Sequence, residues 1–246
     1  MNKPFLIIQL RPEDEAADNE FQAILRYSGL VEEEVVRARV ERRGLPEIEL
    51  SHYAAIIVGG SPFDLSTPED AKLDIQKQIE REFMDLFERI VESDFPFLGA
   101  CSGNGLLGSF CGANISTRYA EPVGGTDIVL TDAGKKDPLL IGLPETFRVL
   151  LGHKEACDEV PPGTVLLASS QACPVQMFRL RNNIYATQFH PEADPDGFKV
   201  RINIYKDHGY FAPETAEDLI ARVANEDTPE AKQILDRFVQ RYRSGS

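Results

Sequence analysis

A cysteine set among small residues, in the stretch GACSGNGLLG at 99–108, is the first group in this chain suited to covalent chemistry. The apolar run FPFL precedes it, so a buried strand gives way to a helix at Cys101. Such a corner lies at the carboxyl edge of a parallel sheet, where α/β folds place their sites. Gly99 and Gly103, two residues to either side, relieve the crowding of a sharp, strained turn like a nucleophile elbow. A helix opening at Ser102 turns its free N–H groups and positive end toward the thiol. That arrangement is expected to lower the thiol pKa and to supply donors for an oxyanion. The alternative is a small buried residue filling a gap, the usual role of a cysteine. Cys111, Cys157 and Cys173 lack this context and read as packing residues.

A thiol nucleophile needs a base, and the chain offers His52, His153, His190 and His208. His190 lies in YATQFHPEAD, at the end of a strand-like run closed by Pro191. Glu192 follows two residues later, and positions i and i+2 of an extended chain point to one side. A carboxylate there can orient the imidazole and stabilise its cation, which completes triad logic. Read alone, a strand-end histidine is more often a satisfied core or surface residue, and Pro191 weakens that alternative only slightly. The pair Gly59-Gly60 ends the run AAIIV. It serves either to bring a backbone N–H close to a ligand or to make a βα turn of positive φ. GNGLLG at 103–108 has dinucleotide-fingerprint spacing, but no first βα unit surrounds it and no Walker motif occurs. The four cysteines lack CxxC spacing, so neither a metal site nor a disulfide framework is expected.

These groups need a scaffold. Residues 5–10, 53–60 and 95–101 are near-continuous apolar runs, the pattern of strands covered on both faces in a parallel sheet. Residues 34–43 read as a fourth, shorter strand. Helical spacing marks 15–28 and 69–92, the latter through Leu73, Ile75, Ile79, Phe83, Leu86, Phe87 and Ile90, with Pro68 just ahead. The long lead-in at 61–82 reads as an extended approach to that helix rather than as a lid. The first half is therefore β-α-β-β-α-β, followed by a helix. The second half holds short strands at 126–130, 147–152, 164–170, 173–180 and 183–190, separated by Gly, Pro and Asn clusters. Asn182-Asn183 predicts a tight hairpin joining the last two. Beyond 194 the chain turns helical, notably at 213–224 and 228–243. The expected fold is α/β, a mostly parallel central sheet with helices on both faces and a smaller antiparallel region. It forms one domain over 1–246.

Composition sets limits. Of 246 residues, 42% are apolar and 27% charged, an ordinary soluble balance, and the net charge is −14. That charge argues against tracking phosphates, so no nucleic-acid partner is expected. No apolar stretch reaches the roughly 18–20 residues of a membrane helix, so no membrane partner is expected either. MNKPFLIIQL is too short in its apolar run for a signal peptide and reads as a first core strand. A cytoplasmic setting with reduced thiols follows.

Together these motifs resemble the class I, triad-type glutamine amidotransferases, in register over most of residues 50–193. IIVGGSP resembles the family's strand and Gly-Gly oxyanion loop, and FPFLGACSGNGLLG its P-x-x-G-x-C-x-G elbow. LLGHKEACDEVPPGTVLLASS is similar to its Ser-His-x-Asp stretch, and CPVQMFRLRNNIYATQFHPE to the strand pair ending in Phe-His-Pro-Glu. The resemblance implies a flavodoxin-like fold and amide hydrolysis through Cys101, His190 and Glu192. Backbone N–H groups of Gly60, beside Gly59, and of Ser102 would hold the oxyanion. It implies glutamine or another γ-glutamyl compound as substrate, a γ-glutamyl thioester, and no metal or organic cofactor. Two positions depart from the pattern: the family's substrate-recognising glutamine is Gly105, and the serine before His153 is Gly152, with Glu155 in place of the acid. The implied alternatives are a relaxed glutamine site, a different γ-glutamyl substrate, or reduced activity. No ATP pyrophosphatase motif occurs, so ammonia would pass to a separate synthase subunit, or the protein would act alone as a γ-glutamyl hydrolase. A catalytically silent regulatory subunit is the remaining reading.

Overall fold

The computed structural model describes residues 3–207 and 211–243, which leaves His208 outside the described residues. The apolar runs become β1 (Phe5–Gln9), β3 (Ile56–Val58) and β4 (Phe97–Ala100), with β2 (Val35–Arg39) beside β1. Helices α1 (Asp14–Ser28), α2 (Asp74–Ser93) and α3 (Ser102–Phe110) connect or follow them. The second half contributes β5 (Ile115–Ser116), β6 (Glu121–Leu130), β7 (Thr146–His153), β8 (Ala156–Cys157) and β9 (Thr164–Ser169). Then come β10 (Met177–Leu180), β11 (Ile184–Thr187), α4 (Pro195–Tyr205), α5 (Ala216–Val223) and α6 (Pro229–Arg243).

Nine strands make one sheet in the order β2-β1-β3-β4-β11-β10-β9-β6-β7, and β5 pairs separately with β8. Pairing is parallel from β2 to β11 and antiparallel from β11 to β7. The antiparallel region is thus no separate layer but the other half of the same sheet. Successive side chains of β1 explain its unbroken apolar run. Phe5 and Ile7 face a core with Phe21 and Ile24 of α1 and Ile234 and Phe238 of α6. Leu6 and Ile8 face the opposite core, with Ile79, Phe83 and Phe87 of α2 and Leu106 of α3.

Several segments depart from the sequence expectation: β6 begins at Glu121 rather than 126, and the short pair β5 and β8 has no counterpart in it. α2 starts at Asp74, five residues later than periodicity suggests, because 66–72 is turn and bend. Likewise 173–176 is loop, and β10 starts at Met177. The hairpin does form: β10 and β11 pair antiparallel from Met177↔Thr187 to Leu180↔Ile184. Arg181 takes φ 51° in its turn. The Asp94 carboxylate, at the end of α2, accepts N–H bonds from Asn182 (3.2 Å) and Asn183 (3.1 Å), bracing that turn from the connection into the neighbouring β4.

Candidate active site

Four adjacent parallel strands end at one edge of the sheet. Arg11 follows β1, Gly59-Gly60 follows β3, Cys101 follows β4, and His190 lies three residues beyond β11. Cys101 sits between β4 and α3 with φ 52° and ψ −96°, a conformation L-residues avoid. Gly99 is required there: a Cβ on it would lie 2.9 Å from the Gly103 backbone. Gly103 is not, since its own Cβ would meet Val58 at an ordinary 3.6 Å. The crowding is therefore one-sided, a correction to the symmetric role expected of this pair.

Cys101, His190, Arg11, Ser61, Arg201 and Tyr205 line one cleft of ≈ 480 Å³. Glu192 accepts from His190 Nδ1 at 2.9 Å and from Arg201 Nη2 at 2.8 Å. This leaves Nε2 as the ring nitrogen available to the thiol. Burial pushes the His190 pKa down, against the pull of Glu192, and Arg201 and Arg11 add to the lowering. Burial would raise Glu192, but His190 and Arg201 hold its carboxyl well below the usual carboxylate range. The site at rest is a neutral imidazole oriented by an ionised carboxylate, the state a general base needs.

The thiol departs from expectation. Cys101 is partly exposed to the cleft yet lies deep in the molecule, and burial pushes its pKa up to about 12 despite Arg11. Desolvation of the thiolate is the largest cause, and the Glu192 and Glu155 carboxylates add to it. Burial thus favours the neutral form of both the thiol and the imidazole.

The loop expected to hold an oxyanion also differs. The Gly60 N–H donates to Glu20 Oε1 at 3.1 Å rather than standing open to the cleft. Glu20 also accepts from Arg11 Nε at 2.8 Å and Gln9 Nε2 at 3.1 Å. Burial opposes its charge, but Arg11 and Arg201 keep its carboxyl low. The glycines are needed for this approach: a Cβ on Gly60 would stand 2.4 Å from Arg11 Nη2 and 2.7 Å from His190 Cε1. Ser102 Oγ donates to the Gly59 carbonyl at 3.0 Å, and the Ser102 amide is the first of α3, with no intrahelical partner.

A second cleft, ≈ 390 Å³, meets the first at Cys101 and is lined by Ser102, Gly105, Gly152, His153 and Glu155. Gly105 faces Leu65 Cδ1, 3.0 Å from where its Cβ would be, so the space a longer side chain would claim is shared with the 61–73 segment. Glu155 anchors that segment, accepting the N–H of Leu65 and of Ser66, each at 2.7 Å. His153 points away from free solvent, with Nε2 3.1 Å from Glu121 and Nδ1 3.0 Å from the Glu155 carbonyl. Gly152 lets β7 pass Val123, whose Cγ2 would lie 2.7 Å from an added Cβ.

Arg11, Glu20 and Arg201 escape a motif search, though a physical signal exists for two of them. Arg11 follows the first strand, where an α/β fold places ligand contacts. Glu20 occupies the buried face of α1 with Ala16, Ala17, Phe21 and Ile24, where an isolated carboxylate has to find a cation. Arg201 stands in a helix of weak amphipathic pattern and carries no such mark. No helix among the described residues is long and apolar enough to cross a membrane.

The family description "Glutamine amidotransferase class-I" matches residues 16–225. A chain of Thermoplasma volcanium, named as one of the subunits of GMP synthase [glutamine-hydrolyzing], is 27% identical over 203 residues, covering 82% of this chain and 90% of that one. The GMP synthase [glutamine-hydrolyzing] of Caldicellulosiruptor saccharolyticus is 37% identical over 106 residues, 43% of this chain and 20% of its own. Full-length synthases of this kind are thus spanned over a fifth to a third of their length. A crystal structure of a glutamine amidotransferase from Thermotoga maritima superposes with TM-score 0.78 at 20% identity, covering both chains fully, a likeness of fold.

Proposed function

The chain belongs to the class-I glutamine amidotransferase family, and from that premise and its site we infer a glutaminase working through Cys101, His190 and Glu192. The observation that carries this reading is one cleft lined by the strained Cys101 and by a His190 already oriented by Glu192. The Cys101 sulfur attacks the side-chain carboxamide carbon of glutamine. His190 takes the thiol proton as the S–C bond forms and the carbonyl pair moves to oxygen. The Ser102 N–H receives that oxyanion, joined by the Gly60 N–H once Glu20 yields it. Collapse expels ammonia, protonated by the His190 imidazolium, and leaves a γ-glutamyl thioester. His190 then deprotonates a water, which attacks the thioester and releases glutamate and the thiol. Every step is proton transfer or acyl transfer, which these residues supply without a cofactor.

Ammonia is passed to a separate synthetase subunit. Support comes from the alignment along 90% of a chain that is itself named as one of the subunits of a GMP synthase. The reaction needs Cys101 as a free thiol, which favours a reducing, cytoplasmic setting; the cysteines carry no disulfide.

A second reading, a hydrolase of γ-glutamyl amides, is favoured by Gly105 and by the apolar wall beside His190, formed by Val123, Phe198, Ile202 and Phe211. Labelling with a diazo-ketone analogue of glutamine, followed by mass mapping, tests the inference. Modification of Cys101, abolished by Cys101→Ala, is expected, and labelling confined to other residues refutes it. Comparing glutamine with γ-glutamyl dipeptides then separates the two substrates.

A further inference from the structure

We propose that Glu121, His153 and Cys173 form a binding site for a zinc-type divalent cation, set behind the cleft that Gly105 and Cys101 line. Glu121 opens β6 and His153 closes β7, paired directly across the ladder. Cys173 lies in the loop ahead of β10, held by its N–H to Ser170 Oγ at 2.9 Å and by the Ser170 N–H to its carbonyl at 2.9 Å. All three side chains are buried, and one donor atom from each lies within 4.8 Å of the others. A tetrahedral ion with bonds of about 2.0–2.3 Å sets its donors about 3.3–3.8 Å apart. His153 Nε2 and Glu121 Oε2, at 3.1 Å, are already close to that spacing.

The surroundings are arranged as ligand supports usually are. His153 Nδ1 faces the Glu155 carbonyl at 3.0 Å and therefore donates to it, which leaves Nε2 to bind. Nε2 and the Glu121 carboxylate then face each other across a gap that only positive charge can fill, a proton or a metal ion. Gln176 Nε2 fixes Glu121 Oε2 from outside at 2.6 Å. The other end of that same amide, Gln176 Oε1, is buried with no hydrogen-bond partner. The Cys173 sulfur has only a long 3.7 Å contact to the Val175 carbonyl. A nitrogen, sulfur and oxygen donor set suits zinc over magnesium or calcium. Binding breaks the Cys173 S–H bond and displaces the proton shared by His153 Nε2 and Glu121, forms sulfur–metal and nitrogen–metal bonds, and releases two protons to solvent, with no redox change.

Cobalt(II) is the probe. The metal-free full chain carrying Cys101→Ala, so that the catalytic thiol contributes nothing, is titrated with Co²⁺ and followed by near-ultraviolet thiolate-to-cobalt absorption. One ion per chain is expected, with the band lost on adding Cys173→Ala. The Glu20, His190 and Glu192 cluster holds no sulfur and gives no such band. Should the Cys173 variant fail to fold, Glu121→Gln in the same background is expected to keep the band with affinity weakened at least tenfold. Absence of the band, its persistence without Cys173, or unchanged affinity in Glu121→Gln overturns the proposal.

Discussion

Replacing Cys101 by glycine should stabilise the protein relative to replacing it by alanine, the reverse of the usual order. At ordinary positions glycine is less stable than alanine by about 0.5–1 kcal/mol, because it surrenders more backbone freedom on folding. Position 101 holds φ 52° and ψ −96°, where a Cβ is strained and glycine is not. Strain of this kind costs about 1–3 kcal/mol. The difference leaves glycine ahead of alanine by roughly 0–2.5 kcal/mol, with about 1 kcal/mol as the working value. For a chain of this size that corresponds to a gain of about 2–4 °C in Tm. Both variants lack the sulfur, so comparing them removes the lost thiol from the account and isolates the backbone. Thermal and urea unfolding of the two, side by side, read the sign directly. If Cys101→Gly melts below Cys101→Ala by the ordinary margin, the elbow is not strained and the reason given for its geometry is wrong.

Arg201→Met removes the cation that holds Glu192 and lowers His190. The rate falls as acid protonates His190, so the acid limb of kcat/KM should move to higher pH, with Arg201→Lys restoring part of the shift. Leaving Glu192 and Glu20 short of a buried partner should also cost about 3–5 kcal/mol in urea unfolding. An unmoved limb in Arg201→Met shows that the arginine does not tune the base. Gly105→Gln restores the family's amide beside Cys101, and Leu65 Cδ1, the end of a flexible side chain, can give way. A neutral hydrogen bond of about 1 kcal/mol should lower KM for glutamine by about fivefold. Steady-state kinetics check it, and an unchanged KM means the second cleft does not hold the amino-acid end.

Much of this was legible in the sequence because the signals are local. A β1 with apolar residues on both faces, an elbow with Gly99 before Cys101, and His190 two residues from Glu192 all follow from short-range pattern. The hairpin was legible too, from Asn182 and Asn183. What the sequence hid is long-range. Nothing near Gly60 reveals that Glu20, from the helix after a different strand, takes its N–H at 3.1 Å. Nothing in the elbow shows how strongly desolvation acts at the sulfur, since burial is a property of the whole fold. The start of α2 falls later than its periodicity because Leu73, on-period, is 62% exposed and belongs to the approach.

The braced turn between β10 and β11 works as a length gauge for the reaction. The proposed base, His190, hangs seven residues downstream of Asn183, about 23 Å along an extended chain, so its reach is measured from the opposite end of the strand. Two residues of slippage in that hairpin would carry the imidazole about 6.6 Å from its station, and one would turn Tyr185 and Ala186 to the wrong faces. Asp94, by gripping both asparagines, keeps count. An outlying bend with no part in the chemistry is thereby denied the latitude that surface loops ordinarily enjoy.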